Sequence, residues 1–177
     1  KLMAANTSTM IMTLAGAQDR DGASMLLATF TTRIRVAFMK GGTEGRSSID
    51  PTRMASVRYV EDEHRPFSSA RDSVEIDPAR QRWSGQTDSG ATATDKPLDE
   101  LSFIYFLRTL DLAPDSLYSF DRFYDKRRTP TTVRLIRRDT LRAPFGNVGV
   151  FVIDMNVKDK VARGGDKTIR LWLSDDP

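Results

Sequence analysis

Residues 97–110 read PLDELSFIYFLRTL, and residues 117–124 read LYSFDRFY. The first stretch has the spacing of a helix and the second the two-residue alternation of a strand. Pro97 suits a first helical turn, where its missing N–H would have no partner anyway. Asp99 and Glu100 oppose the positive end of the helix dipole. Leu98, Leu101, Ile104 and Tyr105, with Phe103, Phe106, Leu107 and Leu110, cover most of the circumference. A helix apolar nearly all round is buried, or faces a core on one side and a partner or ligand on the other. Pro114 ends it.

Downstream, Leu117–Tyr124, Thr131–Arg138, Val148–Val157 and Thr168–Leu173 read as strands. Turns at Lys126–Pro130, Arg142–Gly146 and Lys158–Asp166 separate them. Upstream, Met10–Leu14 and Ala23–Phe30 form an expected hairpin about the turn signal Asp19–Gly22. Ile34, Val36 and Phe38 alternate with Arg33, Arg35 and Ala37, and Gly41–Gly45 breaks the chain. Arg53–Val60 reads as a strand and Glu61–Pro66 as a loop. Asp72–Asp77 alternates, and Pro78–Arg80 turns the chain toward Gln81–Trp83. Residues 84–96 are polar and low in complexity, the signature of a mobile loop. About nine strands and one main helix result, in a single β-rich domain over 1–177. That length is enough for one sizeable core.

The composition is that of an ordinary globular chain: 39% hydrophobic, 29% charged, net charge +3. No apolar run approaches the roughly 20 residues that cross a bilayer as a helix. The absence of cysteine excludes disulfides, thiolate metal sites and cysteine nucleophiles. His64 is the only histidine, so no two-histidine metal site can form within one chain. Gly41, Gly42 and Gly45 lack the lysine and spacing of a phosphate loop, and there is no zinc-protease helix or serine elbow. The pairs Asp62/Glu63, Asp121/Asp125 and Asp175/Asp176 could supply acid and base groups. Neighbouring arginines and turn formation explain them more simply. No catalytic, cofactor-binding or metal-ligating residue is assigned, and nucleic acid is not an expected partner.

Two further groups remain. Arg122, Lys126, Arg127, Arg128, Arg134, Arg137, Arg138 and Arg142 are interleaved with apolar residues and with Asp121, Asp125 and Asp139. That pattern is the solvated face of an antiparallel sheet, or a docking surface for an acidic partner or lipid head groups. The aromatics Phe103, Tyr105, Phe106, Tyr118 and Phe120 either fill the core or line an apolar pocket.

LDELSFIYFLRTL at 98–110, YSF at 118–120, RAPFG at 142–146 and WLSDD at 172–176 resemble the bacterial exported domain-of-unknown-function family 3108. SIDP at 48–51 is similar to that family's upstream strand. The likeness spans roughly Arg46 to Pro177. It implies a mainly β fold: a curved antiparallel sheet of half-barrel type with one main helix packed against it. It also implies a place in the bacterial periplasm or cell envelope, and it transfers no catalytic residue or cofactor. Family members usually continue past the aspartates with another strand, so an open sheet edge is expected, where a partner can add.

The expected function is a non-catalytic accessory or scaffolding subunit that stabilises a larger, membrane-bound protein assembly without a transmembrane segment of its own. Its expected contacts are Arg127, Arg128, Arg137, Leu171, Trp172 and Leu173. The alternative is a carrier for a lipid or other apolar ligand held between sheet and helix. A cavity on the order of several hundred Å³ would favour the carrier and a packed interior the subunit. A hydrolase built on His64 or an acidic pair ranks last.

Overall fold

A computed structural model describes residues 7–20, 23–36, 39–143, 146–158 and 166–174. Seven strands run up and down in sequence order: β1 (Thr7–Arg20), β2 (Ala23–Val36), β3 (Met39–Asp50), β4 (Ala55–Arg65), β5 (Ser68–Asp77), β6 (Arg82–Ser84) and β7 (Ser89–Ala91). The helix α1 (Glu100–Leu107) follows. A second sheet then forms from β8 (Leu117–Phe120), β9 (Thr131–Ala143), β10 (Gly146–Val157) and β11 (Lys167–Ser174), in the order β11-β10-β9-β8. Both sheets are antiparallel, the described residues are mainly strand, and no barrel closes among them. The fold class is the expected one: mainly β, with one α-helix.

The apolar circumference of α1 has a structural cause. Phe103 and Leu107 pack with Leu98, Leu112, Val133, Leu135, Ile153, Met155 and Val157 on the four-stranded sheet. Leu101, with Tyr105 beside it, packs against Ala28, Ile49 and Tyr59 of the seven-stranded sheet. Two sheets therefore clamp the helix, and both of its flanks are core. Burying Phe103, which is 1% exposed, contributes about 1.5–3 kcal/mol. Pro97 lies outside the helix. Its carbonyl instead accepts the N–H of Ser56 at 2.8 Å, tying the approach to α1 onto β4.

Several sequence expectations are corrected. The glycine run at 41–45 lies inside β3, not in a break. The Phe30 ring lies where a Cβ on Gly45 would be, and a Cβ on Gly42 would run into the Thr32 carbonyl. Those glycines allow the close approach of β2 to β3. Residues 61–65 continue β4, because their charges are satisfied on the sheet surface: Tyr59 donates to Glu61, Arg65 pairs with Glu63, and Arg71 with Asp62. Residues 84–96 contain β7, which pairs with β6 through Trp83 and Gly90. Gly85 N–H donates to the Asp88 carbonyl at 2.7 Å, closing the turn between them. The described residues hold eleven strands against about nine expected, because residues 39–50, 82–84 and 89–91 form strands of their own, while residues 34–36 continue β2. The turns at Asp19–Gly22, Arg142–Gly146 and Lys158–Asp166 lie partly outside the described residues, and Phe38, Asp175 and Asp176 wholly so. Among the described residues no helix is long and apolar enough to cross a membrane.

Candidate functional site

The start of α1 is fixed by a buried polar cluster. Asp99, fully buried, is the N-cap. Its Oδ1 accepts the N–H groups of Leu101 and Ser102, each at 2.9 Å, and its Oδ2 accepts the Ser47 hydroxyl at 2.5 Å. The Asp99 N–H donates to Ser102 Oγ at 2.9 Å, and the hydroxyls of Ser56 and Ser102 lie 2.6 Å apart. The helix is thereby joined to β3 and β4. Burial raises the Asp99 carboxyl above its usual range, and the surrounding donors oppose that shift.

This anchor sets the neighbouring Glu100 on the lining of a cleft of about 120 Å³ between α1 and the four-stranded sheet. Phe103 and Ile104 line it from the helix, Met155, Val157, Lys167 and Ile169 from β10 and β11, and Phe123, Arg128 and Thr131 complete the lining. Arg128 Nη1 donates to Glu100 Oε1 at 2.8 Å, while its guanidinium lies 4.1 Å over the Phe123 ring. The Glu100 side chain is 41% exposed as a whole, but its Oε2 is buried. Burial raises this carboxyl and Arg128 pulls it back.

Three polar atoms of cleft residues have no hydrogen-bond partner: Glu100 Oε2, Arg128 Nε and Thr131 Oγ1. Among the described residues only Arg58 Nε and Trp83 Nε1 share that condition. Arg58 Nε lies 3.0 Å from the Glu75 carboxylate and is compensated by charge. Three of these five atoms thus belong to residues around one cleft, but they are themselves buried, and the surface the cleft presents is almost wholly apolar.

The five aromatics do not line a common pocket. Phe103, Phe106 and Phe120 meet edge to face at 5.4–6.0 Å, and Tyr118 stacks on Phe120 at 6.4 Å. They fill the space between α1 and β8. Of the five, only Phe103 reaches the cleft, and Tyr105 packs toward the other sheet. Sequence reasoning missed Glu100, Thr131, Met155 and Ile169. One signal was available: Thr131 shares the inward parity of Val133 and Leu135, so it is a polar residue at a core position.

The six expected contact residues fall into three groups. Arg127 is held by Asp125 and Asp88 at 2.8 and 2.6 Å, which raises its already high pKa. Arg128 belongs to the cleft. Leu171 and Leu173 pack on the core side of β11. Trp172 and Arg137 share the opposite face, in one row through Val152. Trp172 is 45% exposed, and Arg137 pairs with Asp139 at 2.8 Å. β11 ends its sheet, and among the described residues no strand covers its outer edge. His64 is exposed. No group of three or more potential metal ligands occurs among the described residues.

The described residues define a two-sheet antiparallel β fold with an α-helix clamped between the sheets. A family model described as a protein of unknown function (DUF3108) matches residues 2–177, and the chain belongs to that family. The match takes in the N-terminal hairpin, which the resemblance from about Arg46 onward leaves out. No curated protein and no solved structure matches the chain.

Proposed function

We propose that the chain is a non-catalytic domain of the bacterial cell envelope, an accessory subunit that docks on a larger membrane-bound assembly through β11. The observation that carries this is the half-exposed Trp172 on a terminal strand, aligned with Val152 and Arg137. A free strand edge offers unpaired N–H and C=O groups, and Trp and Arg supply most of the energy of protein interfaces. The envelope location rests on the resemblance to exported family members. The carrier alternative has less support. The cleft of about 120 Å³ is well below the ~300–1,000 Å³ of pockets that enclose drug-sized ligands.

The test is copurification from native membranes with wild type and with the double variant Trp172→Ala, Arg137→Glu. The variant should keep the wild-type unfolding midpoint and lose the partner. A folded variant that retains its partner at the wild-type level would sink the docking reading.

A further inference from the structure

We propose that the end of the seven-stranded sheet remote from α1 is a membrane-contact tip, which sets the Phe67 ring into an anionic lipid surface. β2 leads into β3, and β4 into β5, at this end of the sheet. The two hairpins touch there: Gly42 pairs with His64, and a Cβ on Gly41 would meet the His64 carbonyl at 2.9 Å. Ile34 lies six residues along β2 from Ala28, where the helix packs, so the tip stands about 20 Å beyond that contact. Phe67 sits in the two-residue turn between Arg65 and Ser68. At 96% it is the most exposed large hydrophobic among the described residues, and Ile34, near the end of the other hairpin, is 47% exposed.

Folding does not ask for a ring at this turn. Two-residue hairpin turns are served best by Asn, Asp and Gly, and a ring left in water gains nothing from the core. The charge around it has one sign. Residues 33–43 and 64–71 include Arg33, Arg35, Lys40, Arg65 and Arg71 and no Asp or Glu. Glu63 holds Arg65 at 2.8 Å, and Asp62 lies 3.6 Å from Arg71. Arg33 and Lys40 stand exposed on the two strands of the other hairpin. An exposed ring among cations is complementary to an anionic bilayer. The headgroups attract Lys and Arg, and the ring enters the boundary between headgroups and acyl chains. A protein partner fits less well. A specific interface takes about 20–30 residues from each side, more than this tip offers. A fluid bilayer needs no matching shape and closes around one protruding side chain. The contact lies on the other sheet from β11 and does not depend on the docking reading.

The test is sedimentation of the purified protein with phosphatidylcholine vesicles, made with and without phosphatidylglycerol. Wild type should pellet with the anionic vesicles, and added salt should weaken that binding. The double variant Arg33→Gln, Lys40→Gln should bind them about 25-fold more weakly, about fivefold for each cation. Phe67→Ser should bind about tenfold more weakly and keep the wild-type unfolding midpoint, because the ring is almost wholly exposed. In Phe67→Trp, emission should shift to the blue on addition of anionic vesicles, and brominated lipid should quench it, against the wild-type background of Trp83 and Trp172. Wild type that stays in solution, or that binds neutral vesicles equally well, would overturn the proposal. So would either variant binding like wild type. If Phe67→Ser loses a copurifying protein while wild type binds no vesicles, the tip is a protein contact and the lipid proposal fails. The vesicles contain no protein partner, so failure of copurification through β11 with intact vesicle binding would strike the docking reading alone.

Discussion

Asp99 shows how much one residue can hold. Its carboxylate caps α1 and receives a hydroxyl from Ser47, 52 positions away, while its N–H also reaches Ser56 Oγ, 43 positions away. In the sequence it reads only as an acid opposing the helix dipole, because the two serines that complete the cluster carry no local signal. Asp99→Ala should cost at least about 2 kcal/mol in urea unfolding, from a lost cap and unpaired buried donors. The pH dependence has a definite sign. Burial raises the folded-state pKa of Asp99 above its usual 3.8, so the folded protein holds the proton more tightly than the unfolded chain. Stability from this group is present below 3.8 and is lost as pH rises through the folded value. Glu100 is raised too and acts in the same direction. Asp99→Asn should flatten that decline, measured as unfolding free energy at a series of pH values. An unchanged slope would show that Asp99 is not its source. His64, on the exposed surface of β4, should by contrast tolerate Ala within about 0.5 kcal/mol.

At the scale of elements, α1 and its two flanks explain which parts of the fold were legible. The helix and the strands after it carry strong periods, and they appear close to their expected places. β3 and β4 were obscured by composition. Gly45 is filled by the Phe30 ring from the neighbouring strand, and Asp62 and Glu63 are paired with arginines on the sheet. Both compensations come from elsewhere in the chain, so a local window reads glycine as a break and charge as a loop. The cleft was illegible for a related reason. Glu100, Thr131, Met155 and Ile169 come from α1, β9, β10 and β11, and only the packing of the helix on the small sheet brings them together. Within α1 the two phenylalanines should separate. Phe103→Ala should cost about 3–5 kcal/mol, since its ring is enclosed on the small-sheet side. Phe106, only partly buried under Arg122 at 4.3 Å, should cost roughly 1–2 kcal/mol. Equal losses in denaturant unfolding would mean that the helix sits differently between the sheets.

For the whole molecule, the basic stretch from Arg122 to Arg142 is not one surface. Arg127 and Arg128, on a three-residue 3₁₀ turn, are paired with Asp88 and Glu100, whereas Arg137 stands on the outer face of the four-stranded sheet in line with Trp172. Charge reversal should therefore have different consequences along it. Arg127→Glu breaks pairs with Asp88 and Asp125, and since its side chain is about half exposed the loss should stay near 1 kcal/mol. Partner binding should survive it. Arg137→Glu should leave stability within about 0.5 kcal/mol, because its pair with Asp139 is exposed, yet weaken the complex. Raising salt should weaken the wild-type complex in the same sense, since exposed charges are screened over about 8–10 Å. Trp172→Ala should act otherwise. An apolar anchor loses contact area rather than charge, so this variant should bind weakly at every ionic strength and keep the wild-type salt slope. If Trp172→Ala removes the salt slope as well, the tryptophan positions the arginine rather than anchoring the partner, and the row through Val152 acts as one unit.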